Sequence, residues 1–291
     1  YPGGSNLAIY DELTRSKINV YLSGDERCAG HAAQGYARST GKVGVCLVTS
    51  GPGSTNLVTP LADAKMDSTP IIAVSGQVTS NMIGKDAFQE TPILNVTMQI
   101  TKHNYLVTRV QDIARTVAEA FHIASTGRPG PVLIDISKDS QSAVMNADDI
   151  DEVVALKGYK PARKLHLEQL GRAMEEIKKA KKPLIYAGQG IVLAGAVKEF
   201  REFADKTGIP VAVTLLSRGC YPETKPLFSG MLGMHGPAYA NYIADEADLI
   251  IALAARFDDR VTGNAAEFAR RARFIHIDID PTEINKNKTV D

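Results

Sequence analysis

Apolar positions along the chain follow two alternating rhythms. Segments with apolar residues three and four apart read as helices, and short continuous apolar runs read as strands buried on both faces. The first series extends to about residue 145. A helix over about 5–16 leads to an apolar stretch near 18–22, and a small-residue helix follows over about 28–39. The Val-rich run 43–50 is a strand, "GPGSTN" turns it into a helix over about 54–65, and "PIIAVSG" (70–76) is the next strand. A helix over about 111–125 carries Ile113, Val117, Ala120, Phe121 and Ala124 on one stripe, and "GPVLIDIS" (130–137) closes the series as a strand.

From 138 to 164 the pattern fades into polar sequence, with Asp148, Asp149, Asp151 and Glu152 close together, and reads as a linker. A second series then begins. Leu170, Met174 and Ile177 mark a helix, "PLIYAGQG" a strand ending in glycines, and Val197, Phe200 and Ala204 another helix. "PVAVTLL", "DLIIALA" (248–254) and "RFIHIDI" (273–279) are further strands. Strands alternating with helices predict two α/β domains, each a doubly wound parallel sheet. Their bounds are 1–145 and 165–291, with 146–164 between them. The turn "YPGG" directly at Tyr1 and the polar tail after "HIDIDP" suggest a piece cut from a longer chain, its second domain truncated at the C-terminal end.

Composition narrows the function. Lys plus Arg and Asp plus Glu number 33 each, which argues against nucleic acid or an anionic membrane as partner. No apolar run approaches the roughly 18 residues of a membrane span, and no signal-peptide pattern opens the chain. Cys28, Cys46 and Cys220 are isolated, so neither a disulfide framework nor a zinc site is expected, and a reducing compartment fits best.

Candidate chemistry lies where strands end, because ligands of α/β sheets sit beyond the carboxyl ends of strands. "TSGPGSTN" (49–56) reads either as a tight turn or as a loop whose backbone approaches a ligand. "AGQGIVLAG" (187–195) lacks the full dinucleotide fingerprint. In "ARFDDRVTG" (255–263), Arg256, Asp258, Asp259 and Arg260 form either a self-neutralising network or a ligand contact. Asp278 in "HIDIDP" reads as an acceptor for a ribose or as a turn cap. His31, among small residues, reads as a packed core histidine, whereas His235 precedes a helix near the same cleft as Arg256. Glu26, in "GDERCAGHAAQGYAR", reads either as a solvated charge favourable to a helix dipole or as a carboxyl that shares a proton with a ligand nitrogen.

The motifs "YPGGSNLAIYDEL", "GHAAQGYARSTGKVGVCLVTSGPGSTNLVT", "DAFQE", "ITKHNYLV", "STGRPGPVLIDISKD", "MLGMHG" and "RFDDRVTG" follow one another as in the catalytic subunits of acetohydroxyacid (acetolactate) synthase. The chain resembles that family over essentially its whole length. The resemblance implies a pyrimidine-binding domain for thiamine diphosphate, then a central FAD-binding domain. A third, diphosphate-binding domain, whose "GDG…N" motif carries the Mg²⁺ ligands, is absent from this chain. No residue here is therefore expected to hold a metal.

By position, Glu26 matches the family's catalytic glutamate, which hydrogen-bonds the pyrimidine ring of the cofactor. Gln77 matches a cofactor-side contact, and Phe88, Gln89 and Lys138 match positions near the substrate channel. Arg128, Gly188, Gly190, Thr214, Leu215, Met234, His235, Arg256, Asp258, Arg260, Asp278 and Ile279 match the flavin site. The implied activity joins pyruvate, after decarboxylation, to a second 2-ketoacid in branched-chain amino-acid biosynthesis. The alternatives are a flavin- or nucleotide-binding protein without catalysis and another thiamine-diphosphate carboligase or oxidase. A homodimer or homotetramer, a regulatory small subunit, and a cytoplasmic, plastid or mitochondrial location are also implied, with no nucleic acid or membrane involved. One departure stands out. Where the family usually has His-Glu-Gln, this chain has Asp25-Glu26-Arg27. Asp25 facing Glu26 would raise its pKa and Arg27 would lower it, and sequence does not say which one faces it.

Overall fold

A computed structural model describes residues 1–162 and 164–291. The chain divides into two compact units, Tyr1–Pro161 and Ala162–Asp291.

In the first unit, strands β1 (Gly44–Val48), β2 (Ile71–Gln77), β3 (His103–Val107) and β4 (Val132–Ser137) form a parallel sheet in the order β1-β2-β4-β3. Apolar side chains leave both faces of the inner strands. Ala33, Ala37, Leu57, Leu61, Ala64, Ile71 and Leu133 pack on one side. Ile72, Val132, Ile134, Ala120, Ile123 and Ala124 pack on the other. Every residue of β4 is buried, as a strand covered on both faces requires. The run 43–50 is less buried than its Val content suggests: Val45 is 52% exposed. It shares a row with Ile72 at the sheet's edge.

The helix expected over 54–65 is two pieces, Pro52–Thr55 and Val58–Met66. The stretch 18–22 takes no regular structure, and Ile18, Tyr21 and Leu22 are exposed. The helix Ile113–Ser125 buries Ala120 and Ala124 of the expected stripe together with Thr116, Glu119 and Ile123, and packs Ile113 and Val117 partly against the same core, whereas Phe121 is exposed. Beyond β4, the segment around Leu156 and Tyr159 folds back on this unit. The Tyr159 hydroxyl donates to Thr126 O at 2.7 Å, and the Lys102 ammonium lies 5.4 Å from the ring centroid.

The second unit holds a parallel sheet of β5 (Pro183–Ala187), β6 (Val211–Val213), β7 (Phe228–Met231), β8 (Leu249–Leu253) and β9 (Arg273–Ile277), in the order β7-β6-β5-β8-β9. The chain winds outward from β5 to β7 and then from β8 to β9, so the order reverses between β5 and β8. Crevices for ligands open at such a switch point. Both faces are again covered. Ile185, Val211, Val213 and Ile251 meet Phe200, Ala204 and Tyr221, while Leu184, Tyr186, Ile250 and Ala252 meet Ala240, Ala244, Phe257 and Phe274. Two parallel α/β sheets are what the alternation of strands and helices predicts.

Candidate functional site

The helix Glu26–Thr40 starts where Asp25, in extended conformation, caps it: the Asp25 carboxylate accepts from Arg27 N at 2.8 Å. The Arg27 guanidinium also turns back on Asp25, at 3.1 and 3.2 Å, and both side chains are substantially exposed. The hydrogen bond from Arg27 holds the Asp25 carboxyl below its usual range. The two unexpected charges therefore satisfy each other on the outside of the helix.

Glu26 occupies the first helical position and is half-buried. Its Oε2 accepts from Asn56 Nδ2 at 2.9 Å, and among the described residues nothing donates to Oε1. The turn after β1 walls this carboxylate: a Cβ placed on Gly53 would stand 3.5 Å from Oε1. At Gly51 the backbone has φ +61°, and a Cβ there would lie 2.7 Å from Gln89 O and 2.9 Å from Gln89 Cβ. Glycine is thus required twice over, by conformation and by the approach of Gln89. Gln89 itself has φ +58°. Its loop is closed by Glu90, whose carboxylate accepts from the N–H groups of Gly84 and Ala87. Phe88 stands at the loop's surface, 89% exposed. Glu26, the 49–56 turn and Gln89 therefore form one continuous wall.

Gln77 ends β2 with its carboxamide turned inward, onto Asp135, Thr91 and Val78. Lys138 follows β4 directly and is exposed. Arg128 lies elsewhere, in the turn before β4, where its Nε donates to Ser68 Oγ at 2.9 Å. His31 is not a core residue: its side chain is 48% exposed, near Asp63 and Gln34. The helix's buried stripe is Gly30, Ala33, Gln34 and Ala37, so position 31 falls off it. Asn56 and Asp135 were missed as site residues. The available signal was an Asn closing the glycine turn and a lone Asp inside an apolar strand.

In the second unit the matched residues follow the carboxyl ends of five strands. Gly188 and Gly190 follow β5, Thr214 and Leu215 β6, Met234 and His235 β7, Arg256, Asp258 and Arg260 β8, and Asp278 and Ile279 β9. At the switch point Gly188 lies against the backbone of Ala254 and Ala255, which any Cβ would strike. Thr214 caps the short turn Leu215–Ser217. Asp258 caps Asp259–Thr262, accepting from Arg260 N and Val261 N at 3.0 and 3.3 Å. Met234 N donates to Arg260 O at 2.9 Å, joining the "MLGMHG" and "RFDDRVTG" loops. They line a cleft of about 370 Å³ that includes Gly233, Met234, Arg260 and Phe268.

Leu215, Met234 and Ile279 are exposed at this edge, beside half-buried Arg256 and exposed Arg260. Exposed apolar side chains and arginines thus both occur along the carboxyl edge of this sheet. Behind Asp278, the His276 side chain is 1% exposed, 3.9 Å from the Asp278 carboxylate, with burial lowering its pKa. Neither its nitrogens nor the buried Tyr186 hydroxyl finds a hydrogen-bond partner among the described residues.

Among the described residues no group of three His, Cys, Asp or Glu side chains is placed to hold a metal ion, and no helix is long and apolar enough to cross a membrane.

Comparison with known proteins places the chain in a family. Residues 1–98 match the family model "Thiamine pyrophosphate enzyme, N-terminal TPP binding domain", and residues 170–291 match "Thiamine pyrophosphate enzyme, central domain". The chain is 50% identical over 299 residues to acetolactate synthase from Arthrospira platensis, an alignment covering 100% of this chain and 52% of that protein. It is 51% identical over 295 residues to the acetolactate synthase large subunit of Corynebacterium glutamicum, covering 100% of the chain and 46% of the relative. For chloroplastic acetolactate synthase 1 of Zea mays the identity is 53% over 294 residues, covering 99% and 45%. The chain thus spans about half the length of the curated relatives it matches. On these matches it belongs to the thiamine pyrophosphate enzymes, of which it carries the N-terminal and central domains.

Proposed function

We propose that this chain is the cofactor-activating and flavin-binding part of an acetolactate synthase, which decarboxylates pyruvate and joins the two-carbon unit to a second 2-ketoacid. In this reading residues 1–145 form the pyrimidine-binding domain and residues 165–291 the flavin domain. Bound thiamine diphosphate supplies the electron sink for loss of CO₂. The chain's own contribution centres on Glu26. Asn56 fixes Oε2, so the carboxylate cannot rotate freely, and Oε1 is left to exchange a proton with the ring nitrogen of the pyrimidine. Gly51 and Gly53 keep the opposite wall free of side chains, and Phe88, Gln89 and Lys138 border the approach of the ketoacid. The outward Asp25–Arg27 pair leaves Glu26 without a charged hydrogen-bond partner among the described residues, which supports the catalytic reading.

In the second unit Gly188, Gly190, Thr214, Leu215, Met234, His235, Arg256, Asp258, Arg260, Asp278 and Ile279 would hold FAD, whereas Arg128, in the first unit, carries its flavin assignment on the resemblance alone. Mg²⁺ would be held by residues outside this chain. Assembly as a homodimer or homotetramer, with a regulatory small subunit, in the cytoplasm or an organelle, belongs to the same proposal.

The observation that carries it is the Glu26 carboxylate, anchored at one oxygen and open at the other beside the glycine turn, in a chain about half identical to acetolactate synthases. The test uses the complete polypeptide with pyruvate, thiamine diphosphate and Mg²⁺. Acetolactate should form, and Glu26→Gln should lower kcat by roughly 10²–10⁴-fold, the usual value of a positioned acid–base group. An undiminished rate in Glu26→Gln would remove the role assigned to it.

A further inference from the structure

Asp135 is the most deeply buried carboxyl of the first unit, and nothing so far gives it a task. It lies in the middle of β4, in register with Ser75 of β2, and is 0% exposed. Its Oδ2 accepts from Gln77 Nε2 at 2.8 Å, and its Oδ1 has no hydrogen-bond partner among the described residues. The other Gln77 amide hydrogen goes to Thr91 O at 3.1 Å, and Val78 N donates to Gln77 Oε1 at 2.9 Å. Both amide hydrogens of Gln77 are therefore committed. Its orientation is set by the acceptor beneath it, because an amide turned the other way would present its oxygen to Asp135 and to Thr91 O.

Thr91 is where the Phe88–Gln89 loop returns to the sheet. The loop has three tethers: Glu90 closes it on Gly84 and Ala87, Gln89 rests on Gly51, and Thr91 is held by Gln77. Among the described residues only the last ties the loop to the interior of the sheet. A hydrocarbon at position 135 would leave a buried Gln77 hydrogen unpaired and free the amide to turn. We propose that Asp135 is a positioning residue that, through Gln77, fixes the Gly84–Thr91 loop and so sets Phe88 and Gln89 beside the Glu26 wall. This rests on the proposed function only in taking a 2-ketoacid as the ligand those two residues meet. Burial pushes the Asp135 carboxyl up to about 7, against the opposing hydrogen bond from Gln77, in keeping with an acceptor that need not carry full charge.

The test is amide hydrogen exchange on the 291-residue chain. Asp135→Leu and Gln77→Ala should each speed exchange of the protected amides between Gly84 and Thr91 by tenfold or more, with the Glu26–Thr40 helix unchanged. Asp135→Asn, which keeps an oxygen acceptor, should restore protection. In the complete enzyme, Asp135→Leu should raise KM for pyruvate several-fold more than it lowers kcat, and Asp135→Asn should reverse that split. Unaltered loop exchange in Gln77→Ala, or an Asn variant as loose as the Leu variant, would overturn the proposal. If Asp135→Leu does not fold, Gln77→Ala and Asp135→Asn decide alone. A complete enzyme that forms no acetolactate would end the functional reading and leave the exchange result standing.

Discussion

Two carboxyl groups of the first unit sit in opposite surroundings, and the contrast is testable. Glu26 is half-buried with one oxygen open, whereas Asp135 is sealed in the sheet with its carboxyl raised to about 7. Because the folded value exceeds the unfolded value near 3.8, the native state holds the proton more tightly. The resulting stability is complete below about pH 4 and is lost as pH rises toward 7, by on the order of 4 kcal/mol at about 1.4 kcal/mol per unit. Urea titrations from pH 4 to 8 should show this slope in wild type minus Asp135→Asn, and equal slopes in the two proteins would refute it. The cysteines separate in the same way. Cys46 is buried, with its thiol pushed up to about 12, and burial raises Cys220 as well, whereas Cys28 is exposed. A thiol reagent at pH 8 should label one cysteine in the native chain and three after unfolding. Sequence reading singled out Glu26 because a charge before a small-residue helix is conspicuous, while the role expected of it came from the resemblance. Asn56 was legible as the Asn closing the glycine turn but not as the partner of Glu26, since that contact spans 30 residues, and the Asp25–Arg27 pairing was not legible because rotamers leave no periodicity to read.

At the level of elements, the strands covered on both faces were legible because their apolar runs are unbroken. β3 and β7 were not: "HNYLV" and "FSGM" carry polar or small residues that blur the pattern. The break between Pro52–Thr55 and Val58–Met66 was hidden because the hydrophobic spacing continues across it. Small residues behind Glu26 were expected to permit close packing, and Gly30 shows where this matters. A Cβ there would lie 2.5 Å from Pro60 Cγ and 2.7 Å from its Cβ, on the helix Val58–Met66. Since a proline ring cannot rotate away, Gly30→Val forces the helices apart and should cost about 1–3 kcal/mol, as overpacking does. Chemical denaturation will check this, with Gly35→Ala as the control. Gly35 has open space where its Cβ would go, and Ala is the better helix former, so that change should be neutral or stabilising. Ala32 plays no part in the packing, being exposed one position off the buried stripe.

For the whole molecule, length and alternation were enough to anticipate two parallel-sheet units. The second unit's ligand is the part where sequence reading leaned on resemblance, because its glycines do not spell a dinucleotide fingerprint. The proposed flavin is testable at the carboxyl edge of this sheet. Leu215 and Met234, 66% and 64% exposed, follow adjacent strands at the carboxyl edge of the sheet, where the proposed ring system would cover them. Covering each by a ring system should contribute about 1.5 kcal/mol, close to tenfold in affinity. FAD added to the chain should therefore bind saturably, with its fluorescence quenched by the surrounding groups. Leu215→Glu and Met234→Glu should each weaken binding by about tenfold, and the pair by about a hundredfold, while circular dichroism stays unchanged because neither side chain belongs to a core. Wild-type affinity in the double variant would mean that the flavin, if bound, does not cover this edge.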